Sequence, residues 1–222
     1  MRIFIIYTVL TFAFLRCDTL SPKEESAVVV REDNKIYIVD RTNKKWDVTH
    51  AVNQYGFNAE SFQFGLGPNA IKPINNPQML SPGESGYPSS SSTFQVIGTT
   101  LYNSTRAYPL NVLSGHEIVN ETFAQRPVAV GYWPLVGLTA VYSREIDETV
   151  LTLSASGWTY KNTFVIYDYQ TESLWYHLSG TEGLTCISGF YADRKLDEFN
   201  FTQTRWNNWF VDNPYSQFLK YP

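Results

Sequence analysis

The chain has 222 residues, 43% hydrophobic and 17% charged, which suits one globular domain with a real core and excludes wholesale disorder. Its 17 basic and 21 acidic residues give a net charge of −4, and no cluster of Lys and Arg stands out, so nucleic acid is not an expected partner. The 15 Tyr, 14 Phe and 6 Trp favour pleated, half-buried strands, on which wide flat side chains pack well.

Met1-Arg2 provides a positive start, and Ile3 to Leu15 is an uncharged apolar run of 13 residues. That is too short to span a bilayer and matches the apolar core of a signal peptide. The run ends at Phe14-Leu15-Arg16-Cys17. A cysteine there predicts a leader over residues 1–17, with Cys17 acylated and the protein exported and held at the cell envelope by lipid. Ordinary secretion and an uncleaved anchor are the alternatives. Cleavage before Cys17 leaves 15 basic against 21 acidic residues, a net charge of −6. Cys186 is the one other cysteine; it would be a partner for an unlipidated Cys17, and its apolar surroundings predict a buried, inert thiol.

Residues 18–34 read as a polar tether, and residues 35–222 as a single domain. The alternating, β-branched Asn34 to Asp40 predicts a first strand. Val48, Val52 and Tyr55 behind Asp47 predict a short helix. Residues 65–88 are rich in Gly, Pro and Asn and read as a long irregular loop. Phe94 to Tyr102 and Arg106 to Pro109 then predict a hairpin with its tip at Asn103-Ser104-Thr105. Further strands are expected over Val128–Trp133, Thr139–Ser143, Val150–Ser154 and Phe164–Tyr169. Asp168 starts a turn before Leu174-Trp175-Tyr176, where its carboxylate would bond its own downstream backbone. Near the end, Thr204 could cap a short helix that places Trp206, Trp209 and Phe210 on one face. The expected fold is mainly β: a single antiparallel domain, barrel- or sandwich-like, with a few short helices.

The stretch His116 to Val141 is the most informative. It pairs His116 with Glu117, passes Asn120, and leads through an apolar run to Tyr132-Trp133-Pro134-Leu135-Val136-Gly137. With Arg106 to Leu110 before it and Tyr167-Asp168 to Trp175 after it, this segment resembles a largely bacterial family known as domain of unknown function 3179. The resemblance runs from about Ile36 to the Trp206–Trp209 segment. It implies that Trp133 and Val136 stand where relatives typically carry two cysteines. A Cys-x-x-Cys thiol mechanism is thereby excluded at these positions, since indole and isopropyl groups offer no comparable lone pair.

The candidate pocket residues are His116, Glu117, Asn120, Tyr132 and Trp133. The retained framework without thiols favours a non-catalytic ligand- or partner-binding envelope protein. One alternative is a metal-binding protein or metal-dependent enzyme using His116 and Glu117, with His50 or His177 converging on them. Another is a purely structural lipoprotein. For His116 the plain expectation is a hydrogen bond to backbone at a strand end, and for the aromatic segments a place in the core. The acidic pairs Glu145/Asp147 and Asp197/Glu198 have nothing to tie them to a pocket, and no G-x-S-x-G, Walker or dinucleotide motif occurs.

Overall fold

The structure, a computed structural model, describes residues 26–221. The expected leader, Cys17 and the first part of the tether lie outside the described residues. The second part of that tether is a strand. In β1 (Val28–Glu32), the β-branched Val28, Val29 and Val30 pair with Val39, Ile38 and Tyr37 of β2 (Lys35–Val39), and β3 (Lys45–Asp47) flanks β2 on its other side. The helix α1 (Thr49–Tyr55) starts after Val48, with Asp47 Oδ1 accepting the Thr49 N–H at 2.9 Å, and stops at Gly56 in the left-handed conformation.

The Gly/Pro-rich region carries only two-residue strands: β4 (Phe62–Gln63) just ahead of it, then β5 (Ile74–Asn75) and β6 (Met79–Leu80). The expected hairpin follows as β7 (Gln95–Leu101) and β8 (Ser104–Pro109). Its turn is Tyr102-Asn103, both at positive φ, one residue earlier than the expected tip. Pro109 then caps an unexpected helix, α2 (Leu110–His116), so His116 ends a helix rather than a strand. A meander of β9 (Ile118–Phe123), β10 (Arg126–Trp133) and β11 (Leu138–Ser143) is followed by the small hairpin β12 (Glu145–Ile146) and β13 (Thr149–Val150). The strand expected over Val150–Ser154 is split: its second part opens the longer β14 (Leu153–Tyr160). The chain continues through β15 (Thr163–Asp168), β16 (Leu174–Tyr176), β17 (Leu184–Ser188) and β18 (Lys195–Leu196). It closes with β19 (Thr202–Arg205), α3 (Trp206–Asp212) and β20 (Gln217–Leu219). Helix α3 buries Trp206 and Trp209 as expected, but its cap position is Arg205 and no side chain caps it.

Strands dominate, and the sheets do not close into a barrel. They stack as in a sandwich with extra layers. One core lies between the six-stranded sheet β18-β17-β16-β15-β14-β4 and the four-stranded sheet β11-β10-β9-β5, filled by Trp133, Tyr142, Phe164 and Trp175 among others. The opposite face of the six-stranded sheet offers Trp158, Tyr160 and Tyr167 to Ile38, Trp46 and Ala51 of the N-terminal layer. The opposite face of the four-stranded sheet packs Val119, Val128 and Val130 against α2 and against Ile97 and Tyr108 of the five-stranded sheet β19-β7-β8-β20-β6. Helix α3 covers the far side of that last sheet, where Gly98 leaves room for the Trp209 ring. The two central sheets are therefore buried on both faces, which explains why β14 is buried at every position.

One local device recurs. Asp40, at the end of β2, accepts from the Thr42 N–H at 2.8 Å and from Trp46 Nε1 at 2.8 Å. Asp168, at the end of β15, accepts from the Thr171 N–H at 2.6 Å and from Trp175 Nε1 at 2.9 Å. In each, a buried carboxylate ties a turn to the first buried indole of the next strand, so Asp168 is a turn former as expected.

Candidate functional site

Glu117 links α2 to β9, and its backbone is unusual for a residue with a side chain, at φ 59° and ψ −36°. That combination lies outside both helical wells and persists only where neighbours impose it. Here the Glu117 N–H donates to the Leu113 carbonyl at 2.7 Å, and the Glu117 carbonyl accepts from the Tyr132 N–H at 2.8 Å. The turn buries the carboxyl: Glu117 is 3% exposed and its Oε2 has no hydrogen-bond partner. Burial pushes its pKa up to about 7.

Glu117 lines a cavity of about 210 Å³ at the end of the core between the two central sheets. Trp133 and Pro134 line it from the end of β10, and Ala155, Gly157, Trp158, Thr159 and Phe164 from β14 and β15. Phe64, Leu66 and Ile71 line it from the Gly/Pro-rich segment, and the exposed Leu135 from the turn after β10. Trp133 is held in place: its Nε1 donates to the Asn162 carbonyl at 2.9 Å, and its ring stacks on Phe164 at 5.6 Å.

The segment 64–71 meets β14 at a bulge. The register of β14 on β15 shifts between Ala155 and Thr159, and Gly157 there has φ 80°. A side chain at Gly157 would come within 2.8 Å of the Gly67 nitrogen, while the Gly157 carbonyl accepts from the Leu66 N–H at 3.1 Å. The glycine thus lets the loop approach the sheet and form one side of the cavity.

Three of the buried side-chain atoms without a partner belong to residues that line this one cavity: Glu117 Oε2, Trp158 Nε1 and Thr159 Oγ1. Buried polar groups are nearly always paired, because leaving one unpaired costs about 1–3 kcal/mol. An apolar cavity with one buried acidic residue in its wall has the make-up of a ligand-binding site. A larger cleft of about 670 Å³, lined by Tyr55, Tyr160, Tyr176 and His177 among others, holds none of these orphan atoms.

The five candidate residues divide. Glu117 and Trp133 line the cavity together. His116 turns away, its Nδ1 lying 2.9 Å from the Lys72 carbonyl oxygen, so its bond is indeed to backbone. Asn120 is a cross-brace: it donates to Asn75 Oδ1 and to the Leu153 carbonyl, each at 2.8 Å, and accepts the Leu153 N–H at 3.1 Å. Tyr132 packs on the opposite face of its sheet, as the strand pleat dictates. Val136 is exposed in the turn after β10, while Trp133 is buried, so the two positions do not share one environment.

The histidines do not converge. His50 Nε2 lies 2.7 Å from Asp193 Oδ1, and His177 Nδ1 lies 3.3 Å from the Tyr142 hydroxyl. Among the described residues no three His, Cys, Asp or Glu side chains are grouped to hold a metal ion. Cys186 is fully buried, and burial pushes its thiol up to about 12, which makes it unreactive. Trp175 and Trp206 are core residues, not ligand platforms.

Sequence reasoning did not single out Phe64, Trp158, Thr159 or Phe164. The one local signal was Gly157 beside Trp158, since a glycine inside a strand often marks a bulge or a close approach.

No curated protein and no solved structure matches the chain. A family model does match, over residues 68–222, so the match starts later than the sequence resemblance suggested and leaves out the N-terminal layer. The chain belongs to the family described as protein of unknown function, DUF3179.

Proposed function

We propose that the protein is a non-catalytic binding protein that holds a small organic molecule in the cavity beside Glu117. The observation that carries this reading is an apolar, aromatic-lined cavity with one buried acidic residue, Glu117, in its wall. Among the described residues Glu117 is the one lining residue whose side chain is ionisable near neutral pH, and Thr159 Oγ1 has no partner to activate it. A relay of nucleophile and base is therefore not assembled there. The volume suits a ligand of roughly ten heavy atoms.

The proposal places this activity at the cell envelope. It is supported by the apolar run Ile3–Leu15 ahead of Cys17. Metabolic labelling with a fatty acid, lost in Cys17→Ala, is the expected outcome; equal labelling of the variant contradicts the anchor.

Binding is tested by fluorescence of Trp133 and Trp158 on titration with tert-butylbenzene and acetophenone, which match the cavity in size. Saturable quenching is expected, together with its loss in Ala155→Leu, which narrows the cavity, and circular dichroism checks that this variant folds. Should it not fold, the wild-type titration stands alone. Absence of saturable binding by any probe of this size, charged or neutral, overturns the reading.

A further inference from the structure

The apolar lining of the cavity admits many molecules, but its polar and aromatic groups narrow the choice. We infer that the ligand is an organic cation, an alkylammonium group held by the Glu117 carboxylate and by the rings of Trp133 and Phe164. This deepens the binding reading above and rests on it.

Among the described residues no Lys, Arg or His lines the cavity, and its one acidic residue is Glu117. A carboxylate or phosphate ligand would bring a second negative charge into a buried site with nothing to neutralise it. That leaves neutral molecules and cations.

The wall decides between them. Four of the lining residues are aromatic: Phe64 from the loop, Trp133 from β10, Trp158 from β14 and Phe164 from β15. Aliphatic side chains would serve a neutral apolar guest equally well. Aromatic faces add an electrostatic attraction that a cation alone exploits, and it grows when water is excluded. The unpartnered Glu117 Oε2, on a residue 3% exposed, then acquires the countercharge it lacks. The net charge of −4 draws cations toward the surface as well.

The proton on Glu117 separates a cation from a neutral guest. Burial holds this carboxyl at about 7, and a cation binds its ionised form. Cation affinity therefore rises with pH up to about 7 and levels off above it. A neutral carbonyl compound, whose oxygen accepts a hydrogen bond from the protonated carboxyl, shows the reverse. The titratable side chains on the surrounding elements are His116 on α2, Glu121 on β9, Arg126 and Tyr132 on β10, Tyr160 on β14, Tyr167 and Asp168 on β15, and Lys72 on the loop. None contributes to the shift, whose cause is burial alone.

The experiment is calorimetric titration of the folded protein with phenyltrimethylammonium, whose charge does not change with pH, beside its neutral isostere tert-butylbenzene and the carbonyl compound acetophenone. We expect the cation to bind about tenfold more tightly at about pH 8 than at about pH 6. In Glu117→Gln, which matches the protonated side chain in shape, the pH dependence vanishes and cation affinity falls by at least about tenfold. Binding of the neutral probes without the cation overturns this inference and leaves the binding reading intact. Cation binding that is the same at both pH values, or unchanged in Glu117→Gln, also overturns it. Failure of all three probes overturns both.

Discussion

Glu117 concentrates the unusual features of this molecule in one residue: a positive φ, a buried carboxyl and an orphan oxygen. Its raised pKa is also a statement about stability. Between the ordinary Glu value of 4.5 and about 7 the folded state binds the proton more tightly than the unfolded state. Stability contributed by this group therefore falls as pH rises through that window and is lowest above it. The full cost is roughly 3 kcal/mol. Glu121 acts in the same direction: burial pushes it up to about 7 although Arg106 and Arg144 oppose the shift. Denaturant melts at pH 5 and pH 8 should show Glu117→Gln gaining about 2–3 kcal/mol on wild type at the higher pH and little at the lower. An equal effect at both would mean that the carboxyl is not titrating in the folded state. Glu117 and Trp133 were legible because both lie in the His116 to Val141 segment that carries the family resemblance. Trp158, Thr159 and Phe64 join them through tertiary packing across three segments, a relation that no local pattern encodes.

Among the elements, hairpins were less legible than strands. Five two-residue turns carry positive φ at both positions: Asp33-Asn34, Tyr102-Asn103, Ala124-Gln125, Asp147-Glu148 and Lys161-Asn162. Three contain the Asn that favours such turns, but Ala124-Gln125 and Asp147-Glu148 do not, and there strand pairing overrides local preference. The strand β14 was missed in part because burial on both faces removes the alternation that marks a half-exposed strand. The helix α2 was missed because it follows Pro109 directly and holds Ser114-Gly115, residues that read as a break rather than as helix interior. Asp168, by contrast, was readable from its turn chemistry. Its carboxylate accepts from the Thr171 N–H, the Thr171 hydroxyl and Trp175 Nε1, all in a buried setting. Asp168→Ala should cost about 3 kcal/mol in urea denaturation, and Asp168→Asn about half of that, because one acceptor survives. A loss below about 0.5 kcal/mol in the alanine variant would show that this device does not hold β15 to β16.

On the scale of the whole molecule, the family match and the physical unit do not coincide. The match begins at residue 68, yet Ile38, Trp46, Ala51 and Phe62 share a core with Trp158, Tyr167 and Tyr176. Phe62 and Gln63 also pair with β14, and Phe64 and Leu66 line the cavity. A fragment beginning at residue 68 would uncover one face of the six-stranded sheet and one side of the site. It should bind anilinonaphthalene sulfonate strongly or precipitate, and a soluble fragment that melts cooperatively like the full chain would contradict this layering. The mainly-β, sandwich-like class was readable from the chain. The stacking of further layers on both central sheets was not, because the sequence does not say which buried faces meet.

The central claim is that the Glu117 carboxyl faces a cavity able to take a guest, and side-chain carbon-13 magnetic resonance reads that carboxyl directly. A pH titration of the free protein should show Glu117 changing protonation near 7, and saturation with phenyltrimethylammonium should move that midpoint downward. A midpoint at the ordinary value of 4.5, unmoved by every probe of the cavity, would contradict the account.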